Sequence, residues 1–101
     1  MSVKLTVIYE NPKDPAAFEK HYAEVHAALV GKIPNVKRVE LAKVLPKEDG
    51  SPTPAYRTAD LYFEDYATAC AALASPEGHA TAGDAVHLGT GGVRFLLSEI
   101  E

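Results

Sequence analysis

The side chains best suited to chemistry stand in one segment, residues 14–29, which holds His26 and Tyr22. Imidazole gives or takes a proton near neutral pH, and a phenol can donate a hydrogen bond from an apolar wall. Four residues separate the two, so on a helix their side chains are neighbours. We predict His26 as a general acid or base and Tyr22 as a donor to a bound oxygen. The alternative interpretation is that both residues lie at the edge of the apolar stripe, with one end of each side chain in solvent, and have no role in chemistry.

A helix beginning at Asp14 is needed to position this pair. Asp14 can accept a hydrogen bond from the first-turn amides, and Pro15 needs no donor there. An apolar stripe follows at steps of four, three and four residues, at Phe18, Tyr22, Val25 and Leu29. On a regular α-helix His21 and His26 would lie about 140° apart, on opposite margins of this stripe.

Three further polar side chains are candidates for contacts with a ligand. Arg57 and Asp60 alternate with apolar residues on a predicted strand, and His79 falls in a later helical segment. Each would contribute only if the fold brought it near His26. We therefore treat these three as predicted ligand-binding residues, secondary to His26 and Tyr22.

The sequence predicts neither a metal site nor a cofactor. No histidine stands four residues from His26, and His21 would point elsewhere on a regular helix. Cys70 is the only cysteine, and its spacing predicts a small buried hydrophobe. The glycine-rich stretch 89–92 lacks the spacing and following helix of a phosphate-binding loop.

Length and composition are typical of one globular domain spanning residues 1–101. The chain is 47% hydrophobic and 24% charged, and no apolar run approaches the roughly 20 residues of a membrane span. Its first residues enter an alternating strand pattern directly, which predicts no export signal and a cytoplasmic location. The net charge of −4 argues against a nucleic-acid partner, which needs clustered cations.

The predicted elements follow the order β-α-β-β-α-β. Strands are predicted at 3–10, 36–45, 56–64 and 93–100, with helices at 14–29 and 66–74 and a helical segment from Pro76 to about 86. Tyr66, Cys70 and Leu73 are expected to point inward from the second helix. This order is typical of a ferredoxin-like α+β fold, with a four-stranded antiparallel sheet and both helices on one face.

The sheet face away from the helices is predicted to be too apolar to remain in water. Its candidate members are Ile8, Tyr56, Tyr62, Leu96 and Ile100. Packing against a second copy would cover them, and a two-fold homodimer is the commonest such arrangement.

The sequence resembles the EthD family of small dimeric α/β-barrel proteins. The most specific part is the pattern F-x-x-H-Y-x-x-x-H-x-x-L, which spans Phe18 to Leu29. The resemblance continues at Lys32-Ile33-Pro34, Ser75 to Gly78, Ala82 to Asp84, and into the glycine-rich turn and last strand.

This resemblance implies ferredoxin-like subunits paired as a dimeric α/β barrel, with a ligand cavity between sheet and helices. It also implies roles for Tyr22 and His26. The family's stretch before the final glycines usually ends in an aromatic residue, and His87 stands near that place as a candidate local addition to the site. One bacterial group of the family accompanies degradation of ethyl tert-butyl ether, and fungal relatives include dehydratases of aromatic polyketides.

Three functions remain open from the sequence. The first is a protein that holds a small, largely apolar or aromatic molecule, auxiliary to oxidative degradation of ethers or other xenobiotics. The second is a cofactor-free dehydratase, isomerase or monooxygenase-type oxidoreductase, with His26 as general acid or base and Tyr22 donating to a developing oxyanion. The third is a structural dimer that binds no ligand.

Overall fold

The computed structural model describes residues 2–101, whose four strands form one antiparallel sheet. The strands are β1 (Val3–Tyr9), β2 (Arg38–Lys43), β3 (Arg57–Phe63) and β4 (Val93–Glu99). They lie in the order β2-β3-β1-β4, and every neighbouring pair is antiparallel. The predicted ferredoxin-like α+β fold is therefore confirmed, and each strand end lies within two residues of its prediction.

The helices pack on one face of this sheet. They are α1 (Pro15–His21), a π-helical turn (Tyr22–His26) that we call the π segment, α2 (Ala27–Val30), α3 (Tyr66–Ala74) and α4 (Pro76–Leu88). Aspartates begin two of them: Asp14 accepts from the Ala17 amide, as predicted, and Asp65 accepts from the Thr68 amide. Within residues 2–101, no helix combines the length and hydrophobicity that crossing a bilayer requires.

Alternation along the central strands divides the sheet into a helix side and an open side. Odd-numbered residues of β1 are buried against the helices, whereas its even-numbered residues are only half-buried. Ile8, Tyr62 and Leu96 lie on the open side, as predicted. Tyr56 does not, because it precedes the first paired residue of β3 and packs edge-on against Phe18, with 5.1 Å between ring centroids.

The inward face of α3 is made of its smallest side chains. Ala69 and Ala72 are buried, whereas Tyr66 is exposed and Cys70 is only half-buried. The prediction that Tyr66 and Cys70 point inward was therefore wrong, although Leu73 does pack against the core. Alanine at the contact lets α3 approach the sheet and α4 closely, and the larger side chains lie on its flanks.

Gly78, in α4, lies where a side chain has no space. A Cβ there would be 2.3 Å from the Ala72 carbonyl oxygen and 2.7 Å from that of Leu73. At Gly83, in the same helix, a Cβ would meet no neighbouring element within 4 Å. We expect Gly78→Ala to lower the free energy of unfolding by about 2 kcal/mol through overpacking. The matched Gly83→Ala should raise it by about 1 kcal/mol. Urea denaturation measures both, and equal changes would contradict the close contact at Gly78.

Candidate functional site

A cavity of about 210 Å³ lies between the helix side of the sheet and the helices. Strand register aligns one row of its floor across all four strands: Leu41, Ala59, Val7 and Phe95. The polar side chains that line it are those of Tyr9, Tyr22, His26 and Thr81. The Thr81 hydroxyl already donates to helix carbonyls. The polar surface offered to a ligand is therefore concentrated at the two tyrosines and the histidine.

A chain of hydrogen bonds joins Tyr9, His26 and Asp84 at one wall of this cavity. Tyr9 Oη lies 3.1 Å from His26 Nε2, and His26 Nδ1 lies 2.9 Å from Asp84 Oδ2. A carboxylate only accepts hydrogen bonds, so Nδ1 of neutral His26 carries the proton and Nε2 accepts from the Tyr9 hydroxyl. His26 is only 5% exposed, and Tyr9 is fully buried. These two hydrogen bonds therefore fix both the orientation and the tautomer of His26.

Asp84 binds a second histidine with its other oxygen. His21 Nε2 donates to Oδ1 at 2.7 Å, so one carboxylate holds two imidazoles. Burial opposes ionisation of Asp84, but the hydrogen bonds from His21 and His26 outweigh it and hold the pKa of the carboxyl below its ordinary value. The Asp84 side chain is 13% exposed. The site thus contains a largely buried carboxylate that stays ionised at neutral pH.

The π segment brings His21 and His26 to the same carboxylate. The Ala27 amide donates to the Tyr22 carbonyl five residues earlier, which is the hydrogen bond of a π-helix. This wider turn brings residues five apart towards the same face, whereas a regular α-helix would separate them by about 140°. The expectation that the two histidines lie on opposite margins of the helix was therefore wrong.

The two tyrosines contact His26 in different ways. The Tyr22 ring stacks on the imidazole, with 5.6 Å between centroids and 17° between planes. Tyr9 instead meets it through the hydroxyl. Burial raises the pKa of Tyr9, with nearby Tyr22 and Asp84 adding to the effect, so the Tyr9 phenol is a neutral donor at physiological pH. Tyr22 is a residue that the sequence predicts for the site, whereas Tyr9 is not, because its place in an alternating strand indicates only core packing.

Arg57 supports the site from outside the cavity. Its guanidinium donates to both carboxylate oxygens of Glu19, at 2.9 and 2.7 Å, and lies over the Tyr22 ring at 5.0 Å from the centroid. These hydrogen bonds hold the pKa of Glu19 below its ordinary value. Arg57 therefore packs against the outer face of Tyr22 and is not a lining residue of the cavity.

The fold does not bring the other predicted ligand-binding residues to the cavity. Asp60 lies on the open side of the sheet, where it accepts from the Thr6 hydroxyl, because even-numbered residues of β3 point away from the helices. His79 is exposed on α4. His87 is also exposed, and its ring lies 5.5 Å from that of His21 in a separate recess. Within residues 2–101, no group of three or more His, Cys, Asp or Glu side chains has the geometry of a metal site.

An antiparallel sheet in this order, with a small cavity under its helices, defines the class of small ferredoxin-like α+β proteins. Within that class, the chain belongs to the EthD domain family, whose model matches residues 10–88. The resemblance noted from the sequence is thereby confirmed. An uncharacterized 11.0 kDa protein of Rhodococcus erythropolis, from the thcB-thcC intergenic region, is 45% identical over 98 residues, which are 97% of this chain and 94% of that protein.

Several solved structures share the fold, and three of them illustrate the range of similarity. An EthD family protein from Bacillus halodurans has a TM-score of 0.93 and 29% identity, with both chains fully covered. A dimeric ferredoxin-like protein of unknown function from Jannaschia has a TM-score of 0.73 and 15% identity, covering 99% of this chain and all of that one. A mutant form of SnoaB, a cofactor-independent oxygenase from Streptomyces nogalater, has a TM-score of 0.67 and 22% identity, covering 98% of this chain and 92% of that one.

Proposed function

We propose that this protein binds a small, largely apolar or aromatic molecule that carries one hydroxyl group. The observation that supports this most is an apolar cavity whose polar groups are grouped together, at Tyr9, Tyr22 and His26. Small-molecule sites combine apolar walls with a few polar groups that orient the ligand. An apolar cavity of about 150 Å³ already holds benzene, so one substituted ring suits the 210 Å³ here.

The Tyr9 hydroxyl is the group that would recognise the ligand's oxygen. Its proton is donated to His26, which leaves the lone pairs of the phenolic oxygen free to accept a hydrogen bond from a ligand hydroxyl. Because Tyr9 is fully buried, that bond would form away from competing water. An auxiliary role in the oxidative degradation of ethers or other xenobiotics, which family membership suggests, would require such a selective pocket.

Phenol and toluene are matched probes for this proposal, since they have nearly the same size and only phenol has a hydroxyl. We expect phenol to bind more tightly than toluene. In Tyr9→Phe the ratio of the two affinities should fall about tenfold, which corresponds to the loss of one hydrogen bond. Tyr66→Phe is the matched control, because Tyr66 is exposed and does not line the cavity. Chemical-shift titration by two-dimensional NMR measures the affinities and verifies that each variant is folded. Failure of both probes to bind at millimolar concentration would contradict the proposal.

A second candidate function is cofactor-free proton transfer, and the Asp84–His26–Tyr9 chain favours it. Asp84 holds the His26 proton on Nδ1, so Nε2 can take a proton from Tyr9 or from a bound molecule and later return it. This chemistry is what a dehydratase, an isomerase or a cofactor-free monooxygenase requires. His26→Gln separates the two candidates: loss of turnover with retained binding supports catalysis, and loss of binding alone supports the binding protein.

We also propose that the protein forms a homodimer through the open side of its sheet. Ile8 and Leu96 put apolar surface there beside the partly exposed Tyr62. A second copy is the simplest cover for such a surface, and the Jannaschia relative of the same fold is dimeric. The solution mass of the purified chain tests this, and a monomeric mass at micromolar concentration would contradict it.

A further inference from the structure

A second apolar recess adjoins the cavity at the edge of the sheet. It has a volume of about 220 Å³ and lies between α2 and β2. Four side chains border both spaces: Tyr22, His26, Val30 and Leu41. The recess is completed by Ala27, Gly31 and Val39. The cavity and the recess therefore share a wall formed by these four side chains, and His26 is part of that wall.

The apolar side of β2 is uncovered beside this recess. Val39 and Leu41 point to the helix side in the same rows as Leu61 and Ala59, yet they are 39% and 52% exposed. The cause is that β2 is an edge strand and the helices pack over the central strands. Edge strands are usually protected by charged side chains. Here Arg38 and Glu40 lie on the open side instead, so the helix side of β2 offers apolar surface that continues the cavity wall.

We infer that the ligand has two parts: an oxygen-bearing head at Tyr9 and His26, and an unbranched apolar tail that lies between α2 and β2. This inference rests on the proposed function, because the head must occupy the cavity for the tail to reach the recess. Cavity and recess together hold more than a single ring needs. The ligand class is therefore an alkyl-substituted phenol, or an alkyl alcohol of similar length.

Leu41 is the residue that would determine how long a tail is accepted. Its side chain forms part of the wall of both spaces, so its size controls the passage between them. Val39 borders only the recess, so a change there affects the tail and leaves the head untouched. Leu41 is thus a specificity-determining position and has no part in the hydrogen-bonded chain at His26.

A series of 4-alkylphenols, from phenol to 4-ethyl-, 4-butyl- and 4-hexylphenol, tests this inference. Each methylene buried in the recess should tighten binding to the wild-type protein about fourfold until the recess is full. Leu41→Trp should remove the gain with chain length. Val39→Glu, which places a charge in the tail's path, should also remove this gain and should preserve phenol binding, because Val39 borders only the recess. Leu45→Trp is the control, because Leu45 is 75% exposed and borders neither space.

The outcomes separate the tail site from the proposed function. If phenol binds but affinity does not rise with chain length, the tail site is overturned and the binding function stands. If no member of the series binds, the proposed function itself fails. Equal loss of phenol and of the alkylphenols in Val39→Glu would also overturn the inference, because it would mean that the recess is not a separate compartment. The solution masses of Leu41→Trp and Val39→Glu are compared with that of the wild type. A changed mass would overturn the inference, because it would indicate that a second copy, rather than a ligand tail, covers β2.

Discussion

Replacing Ala59 with leucine should weaken phenol binding about a hundredfold and leave the protein folded. Ala59 is buried at the centre of the cavity floor, in the row that Val7 and Leu41 continue on the neighbouring strands. Leucine would add three carbon atoms to the space that a ring needs. The phenol ring could then no longer be buried in the cavity. The free energy of burying one ring corresponds to about a hundredfold in affinity, and we expect a loss of that size.

The stability of Ala59→Leu should move in the opposite direction. New methylenes that enter existing space are stabilising, so we expect the free energy of unfolding to rise by about 1 kcal/mol. Ala80→Leu is the control, because Ala80 is exposed on α4 and should change neither binding nor stability by a measurable amount. NMR titration with phenol and urea denaturation give the two quantities. An Ala59→Leu variant that binds phenol like the wild type would show that the ligand lies elsewhere.

Replacing Asp84 with alanine should lower the free energy of unfolding by about 3 kcal/mol at pH 7. The carboxylate accepts from His21 and His26, and a hydrogen bond to a charged acceptor contributes about 1.5–3 kcal/mol. Alanine would also leave the buried Nδ1–H of His26 without an acceptor. Asp84→Asn retains one acceptor oxygen, so its free energy of unfolding should fall by about half as much. Glu48→Ala, in the exposed loop after β2, should lose nothing measurable.

The pH dependence of the Asp84 effect follows from the lowered pKa of its carboxyl. Burial raises that pKa, but the hydrogen bonds from His21 and His26 lower it by more than burial raises it. The pKa in the native state therefore lies below the pKa in the unfolded state. Such a group stabilises the native state above its unfolded pKa, near 4 for aspartate, and its contribution is lost as the pH falls through the native value. The difference in free energy of unfolding between wild type and Asp84→Ala should therefore persist from pH 7 to about 5 and decrease below about pH 4. A difference as large at pH 3 as at pH 7 would contradict an ionic role for Asp84.

The fold was predictable because its determinants are local. Alternation in β1, the capping aspartates Asp14 and Asp65, and the prolines that follow or precede helices each act within a few residues. The inward face of α3 was not predictable from apolar spacing. There, close approach to Gly78 in another helix favours small side chains over large ones.

The candidate site was predictable only in the part that one helix carries. His26 and Tyr22 are four residues apart, so their contact could be deduced from spacing. Tyr9 and Asp84 lie 17 and 58 residues from His26 and meet it only through tertiary packing. One physical signal did exist for Tyr9: a tyrosine inside a buried strand face needs a partner for its hydroxyl. No comparable signal in the sequence pointed to the π segment.

The π segment makes this site depend on the number of residues in a turn as well as on their types. Tyr22, four residues before His26, stacks on it, and His21, five residues before, shares its carboxylate. A regular α-helix favours the first spacing alone, and one additional residue in the turn accommodates both. A single deletion within residues 23–25 would therefore rearrange the site without removing any of its polar groups. Family members that keep both histidines but differ by one residue in this helix should consequently recognise different ligands.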